Sequence, residues 1–364
     1  MYFRNAPHPV AMLPYGLVRY HGAPAELRDI PLGTVLRIRG FLPPDPKISA
    51  VPVLPVNNKE KTAGYSGQGV APAENHILLL EDEPSYCLRE GLVWKLKEMD
   101  IQNNAGMIVA SLEPKTGGGD KAAASKSDGE QSTEEKLTFD AATAVWRGRE
   151  RLAVADLVAE GTWPAAGNKS LGGQAVLLGI TWKPTPDGIF TRFHISDIWL
   201  DDTAAQRAAQ IQTETHKAFI RSRWMPAWID SVEYGKFGRA TVTATLFGGM
   251  DESLYADFAK GGSVTVNASE NNLKHLGGDY GPAHMASKGS VLDVVKAAGH
   301  PPLGSSGIQV RFETDLIIEG IRPTRVVRIR AGSWPLVQVP KEEYLGDGTS
   351  GEGRFPTPAI FPKY

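Results

Sequence analysis

Three groups of residues have types and spacings that could do chemistry. His275, Asp279 and His284 stand in one glycine-rich stretch, HLGGDYGPAH. Two imidazoles and a carboxylate can hold zinc or nickel, and such a centre would support metal-assisted hydrolysis. The plainer reading is a solvated polar loop. Carboxylates come in runs, Glu81-Asp82-Glu83 and Asp201-Asp202. A buried member would suit general acid–base work. Both runs sit where a strand or helix ends, so turn and cap roles are the expectation. Ser305-Ser306, in PPLGSSG, has glycine neighbours like those of a nucleophile but no base beside it.

A further group is basic. Arginines alternate in two similar segments, IPLGTVLRIR ending at Arg39 and IRPTRVVRIR ending at Arg330. Arg37, Arg39, Trp94 and Lys95, and at the other end Arg328 and Arg330, are the weak candidates for ligand binding. Small OB-like barrels hold single-stranded nucleic acid or glycan with such cations and aromatics. The competing reading is a solvent face or edge protection against aggregation. Glycine-rich dinucleotide and phosphate loops, HExxH, GxSxG and EF-hand patterns do not occur, so no cofactor is implied.

The whole chain gives little field to steer a charged polymer. Over 364 residues, Lys+Arg number 39 against Asp+Glu 41. Cys87 is the one cysteine, which excludes an intrachain disulfide and a multi-cysteine metal site. No apolar run reaches the ~18 residues of a membrane span. The first residues lack the pattern of a signal peptide. The compartment stays open: outside the cytoplasm if a leader has been removed, otherwise cytoplasmic.

What must position these residues is β structure. Leu36 and Ile38 alternate with Arg37 and Arg39, and Val327 and Ile329 with Arg328 and Arg330, which is strand periodicity. Gly 39 and Pro 26 favour short strands and turns. Further strands are expected at Ile77 to Leu80, Leu92 to Ile101, Gln174 to Trp182, Arg192 to Leu200 and Ala240 to Leu246. One helix follows Asp201-Asp202-Thr203. Thr203 and Gln206 fit a capping box, Pro226 ends it, and it is expected to clamp two halves together. Residues 114–136 contain no large apolar side chain and are expected to be disordered, either a loop within a paired-barrel domain or, the reading preferred, a linker.

The strand grammar recurs in VRYHGAPAELRDIPLGTVLRIRG, RSRWMPAWIDSVEYGKFGRATVTATLFGGMD, LGSSGIQVRFETDLIIEGIRPTRVVRIR and the closing RFPTPAIFPKY. On these segments the chain resembles uncharacterised planctomycete proteins built from repeated small β modules. The resemblance implies no activity and no residue roles.

The expectation is therefore an all-β, mainly antiparallel chain of several small OB-like barrels or sandwiches with one linking α-helix. Its parts are a first β module at 14–113, the linker at 114–136, a second β module at 137–200, the helix at 201–225, C-terminal β modules at 226–345 and an extended tail at 346–364. The two arginine segments are expected as equivalent sheet edges. The expected function is a non-catalytic scaffold that meets a protein partner or itself through β edges and the tail. The alternative is an OB-like module for single-stranded nucleic acid or glycan.

Overall fold

The computed structural model describes residues 11–41, 76–115, 134–268, 286–297, 299, 301, 304–315, 321–323 and 326–337. The His275–His284 loop and the tail lie outside them. The chain is all-β with few helices, as expected. It divides into two units. One gathers Met1–Leu17, Gly40–Leu78 and Thr215–Tyr364, and the other Val18–Arg39 and Leu79–Glu214.

Strands β1 (Ala11–Tyr20), β2 (Ala23–Pro24), β3 (Leu36–Phe41) and β4 (His76–Asp82) form a sheet in the order β2-β1-β4-β3. The turn between β1 and β2 has φ 54° at His21 and 81° at Gly22. Two left-handed residues in succession match the right-handed strand twist. Helix α1 (Glu83–Glu90) follows β4 directly. Asp82 caps it by accepting from Ser85 N, and Gly91 at φ 68° closes it.

Five strands of the 18–39/79–214 unit close on themselves. They are β5 (Leu92–Gln102), β6 (Ala105–Pro114), β7 (Glu134–Phe139), β10 (Gly167–Pro184) and β11 (Thr191–Trp199). β5, β6 and β7 are antiparallel neighbours. β11 runs parallel to β7. The long β10 pairs β11 with its second half and β5 with its first, which completes the ring. A bulge between Ser170 and Gln174, with left-handed Gly172 and Gly173, bends β10 within the stretch paired to β5, ahead of the change of partner between Val176 and Leu177. Numbered within the ring, the order is 1-2-3-5-4 with strands three and five parallel, the OB connectivity. Leu96, Met99, Ile108, Leu137, Leu178 and Ile195 fill the interior, all fully buried. Strands β8 (Ala144–Arg147) and β9 (Glu150–Ala153) extend the sheet beside β11, and helix α2 (Val154–Ala159) leads from them towards β10.

β6 and β7 pair from Gly106↔Phe139 to Ser111↔Glu134. The segment expected to separate two domains therefore joins neighbouring strands of one sheet. Composition showed that it lacks core residues, but it carries no information about what its ends pair with.

Helix α3 (Asp202–Arg223) is the expected helix. Its cap is Asp201, whose carboxylate accepts from Ala204 N at 2.8 Å, in place of Thr203. It stops before Pro226, at Trp224, which has φ 66°. The division between the two units falls within it.

The second body is a closed barrel of β12 (Met225–Tyr234), β13 (Ala240–Phe247), β14 (Ser263–Ala268), β15 (Ser287–Lys296), β16 (Ser305–Thr314) and β17 (Val326–Ala331). Its order, β12-β13-β16-β15-β14-β17, places β17 beside β14 after the meander β14-β15-β16, a Greek key. Helix α4 (Glu252–Ala256) lies between β13 and β14 in sequence. Strict alternation on β13 buries Ala240, Val242, Ala244 and Leu246. The arginine-bearing β17 pairs on both sides, with β12 and β14. It is therefore not an edge, as the repeat suggested, because closure removes edges. Its counterpart β3 is an end strand of its sheet among the described residues.

Candidate ligand-binding face

The β10–β11 connection is a tight turn over PTPDGIFT. Thr185 N donates to Phe190 O at 2.7 Å, and Thr185 Oγ1 accepts from Phe190 N at 3.1 Å. Asp187 Oδ1 accepts from Ile189 N at 3.1 Å, and Gly188 takes φ 68°. These bonds fix the turn and push its apolar residues outward. Ile189 is 65% exposed, Phe190 47% and Trp182 41%. The Phe193 ring lies 4.5 Å from that of Trp182. Trp182 N donates to Gly33 O at 2.7 Å, which ties the segment before β3 to the end of β10.

Beside the aromatics runs a polar row on the outer wall. Ile108 points inward, so Met107 faces out, opposite Thr138. Thr138 Oγ1 donates to Phe193 O and stands 3.1 Å from His194 Nδ1. That leaves Nδ1 as the donor and Nε2 as the bare nitrogen. Nε2 lies 3.6 Å from Asp140 Oδ1, beyond hydrogen-bond range, and Lys183 Nζ holds Asp140 Oδ2 at 2.5 Å. Burial holds His194 below its ordinary value of 6.5, helped by the charge of Lys183 and opposed by Asp140. Burial works against the ionised Asp140, but the Lys183 hydrogen bond and the Ala142 N–H outweigh it and keep its pKa low.

The His194 shift has a stability consequence. The unfolded chain takes up this proton more readily than the folded one, so the contribution of neutral His194 is complete above 6.5 and is lost as pH falls below that. Chemical denaturation between pH 7 and 5 should show a slope of at most about 1.4 kcal/mol per pH unit from this one site. His194→Gln should flatten it. An unchanged slope in the variant would assign the effect elsewhere.

The basic candidates are mostly committed to the fold. Arg37 makes two hydrogen bonds to Glu83, at 2.9 and 3.1 Å, and lies 4.6 Å over the Tyr86 ring. Arg39 is exposed and Lys95 half-buried on β5, opposite Ser111. Trp94 is not a stacking platform: it is 2% exposed in the barrel core, because its parity on β5 puts it on the inner face beside Leu96. Arg328 Nη1 donates to Trp224 O, and Arg330 Nη1 to Trp334 O. The structure does not bring these six residues together. Arg37, Arg39, Trp94 and Lys95 fall in the 18–39/79–214 unit, and Arg328 and Arg330 in the other.

The acid run Glu81-Asp82-Glu83 is buried throughout. Glu81 is held by Arg89 and Glu83 by Arg37. Asp82 accepts from His21 N at 2.9 Å and from Ser85 N at 3.0 Å. Burial raises its pKa, and the Ser85 and His21 bonds oppose the rise. Each carboxylate has a structural partner, but only Asp82 is a cap; Glu81 and Glu83 are buried members of ion pairs.

Sequence reading missed Trp182, Phe190, His194, Thr138 and Asp140 as a group. One signal was legible: PDG between two apolar runs marks a hairpin turn, and the aromatics flank it. That Thr138 meets His194 was not legible, because it depends on the parallel pairing of strands 56 residues apart.

Fold and face together define an all-β protein with an OB-order body and a Greek-key barrel. No family model, curated protein or solved structure matches the chain.

Proposed function

We propose that the protein is a non-catalytic binding protein whose OB-order body takes an extended, uncharged ligand, an oligosaccharide in preference to single-stranded nucleic acid. The observation that carries this is the Trp182–Phe193 ring pair on the facing ends of the fourth and fifth strands of the ring, with Phe190 exposed in the turn between them. Aromatic faces stack on flat, weakly polar surfaces. Of the two cations at this end of the hairpin, Lys183 is engaged by Asp140, and Asp187 in the turn offsets the exposed Arg192, which favours a neutral ligand over phosphate. A groove that tracks a nucleic-acid backbone needs cations in excess.

Calorimetry against neutral oligosaccharides, with fluorescence anisotropy against oligothymidylate, separates the readings. Saccharide binding should be insensitive to salt, and Trp182→Ala should weaken it about tenfold or more. Oligothymidylate binding that falls steeply with salt would place the ligand among nucleic acids. If neither binds, the scaffold reading stands in its place, and light scattering should then show self-association.

A further inference from the structure

On β14, Val264 and Val266 point into the barrel core, which puts Thr265 and Asn267 on the outer face. The register sets Thr265 opposite Arg330 and Asn267 opposite Arg328, so the four share that face. Trp224 joins this row. Its carbonyl accepts from Arg328 Nη1 at 3.2 Å, and its ring lies 5.7 Å from Arg330 Cζ.

Three polar groups in this patch are unsatisfied. Asn267 is 0% exposed, and neither Oδ1 nor Nδ2 has a hydrogen-bond partner among the described residues. The same holds for Nε1 of the fully buried Trp224 and for Nε of Arg330. Native proteins seldom bury several such atoms on one face without a water or ligand to meet them. Trp224 also holds φ 66°. Bulky side chains rarely adopt that conformation, and such strain gathers at ligand clamps. Arg330 spends Nη1 on Trp334 O at 2.6 Å and Nη2 on Thr265 Oγ1 at 3.4 Å. No carboxylate among the described residues pairs with it, and burial pulls its pKa down. An anion beside it would offset that cost.

We propose that the outer wall of the six-stranded barrel carries a buried site for a small, hydroxyl-bearing oxyanion such as hydrogen phosphate, held by Trp224, Asn267 and Arg330. The match is by donor count. Trp224 Nε1, Asn267 Nδ2 and Arg330 Nε offer N–H groups to oxyanion oxygens, and Asn267 Oδ1 accepts the anion's own O–H. Sulfate has the same shape and no proton to give, so it would leave Oδ1 unpaired. The site is independent of the saccharide face.

The test is calorimetry and thermal melting of the full chain in inorganic phosphate or sulfate at matched ionic strength. The sulfate arm also controls for the general stabilisation that excluded anions give. Phosphate should bind, raise the melting temperature above that in sulfate, and outcompete sulfate about tenfold or more. Trp224→Phe keeps the ring and deletes the N–H, and should weaken phosphate about tenfold. Asn267→Leu should match or exceed the wild-type melting temperature without ligand, since it removes buried unsatisfied atoms, yet lose the phosphate response. Equal effects of the two anions, or an unaltered phosphate response in Trp224→Phe, would overturn the proposal and leave these atoms to ordered water.

Discussion

Gly289→Ala is expected to cost about 4 kcal/mol or more and to leave the Greek-key barrel unfolded at physiological temperature. A Cβ at position 289 would stand 1.6 Å from the carbonyl oxygen of Glu313 and 2.7 Å from its carbon. Neither is the end of a flexible side chain. Glu313 pairs with Thr241 on one side and Ser290 on the other, so moving it out of the way breaks two ladders. Gly289 has no positive φ, so the demand is for space alone. Gly161→Ala is the control. Gly161 has φ 75° and nothing within 4 Å of its added Cβ, so only backbone strain of about 1 kcal/mol applies. Chemical denaturation measures both. Equal losses at the two positions would mean that β15 does not approach β16 as closely as described.

Arg37→Met should cost about 3 kcal/mol. The Glu83 side chain is 1% exposed and Arg37 is its cation, with the guanidinium itself 44% exposed. Losing the arginine leaves a carboxylate buried against the Cys87 thiol without its counter-charge, whereas the arginine alone would keep part of its hydration. The double variant Arg37→Met, Glu83→Gln should recover most of the loss, because it removes the charge together with its partner. If the two single effects simply add, the pair is not the coupled unit that the geometry shows. This outcome also decides the role of Arg37, since a cation that holds a buried carboxylate is a poor candidate for a mobile ligand contact.

The strands were the most legible part of the chain. Alternation at Ala240 to Leu246 and at Val326 to Arg330 reports a pleat with one buried face, and the folded chain shows both. The long helix announced itself through periodicity and an acidic start. The short helices did not. Glu83–Glu90 is eight residues, and its Asp82 cap and Gly91 stop were readable, but the preceding strand runs straight into it and masked the change of period. Val154–Ala159 and Glu252–Ala256 are too short for any periodicity to register. Pairing was the larger loss. Alternation says that Arg328 and Arg330 face away from the core, yet only the β14 register shows that Asn267 and Thr265 share their face. Likewise no local pattern says that residues 114–136 rejoin one sheet, or that β10 bends to meet both β5 and β11.

The central claim is that the OB-order ring presents the exposed Trp182–Phe190 turn to an extended ligand. Backbone amide chemical shifts of the isotope-labelled full chain, titrated with a neutral oligosaccharide, test it most directly. The account predicts that the perturbed amides fall within 181–194, while the Greek-key barrel stays unmoved. Perturbations confined to the barrel strands, or none in the 181–194 hairpin at saturating saccharide, would contradict it.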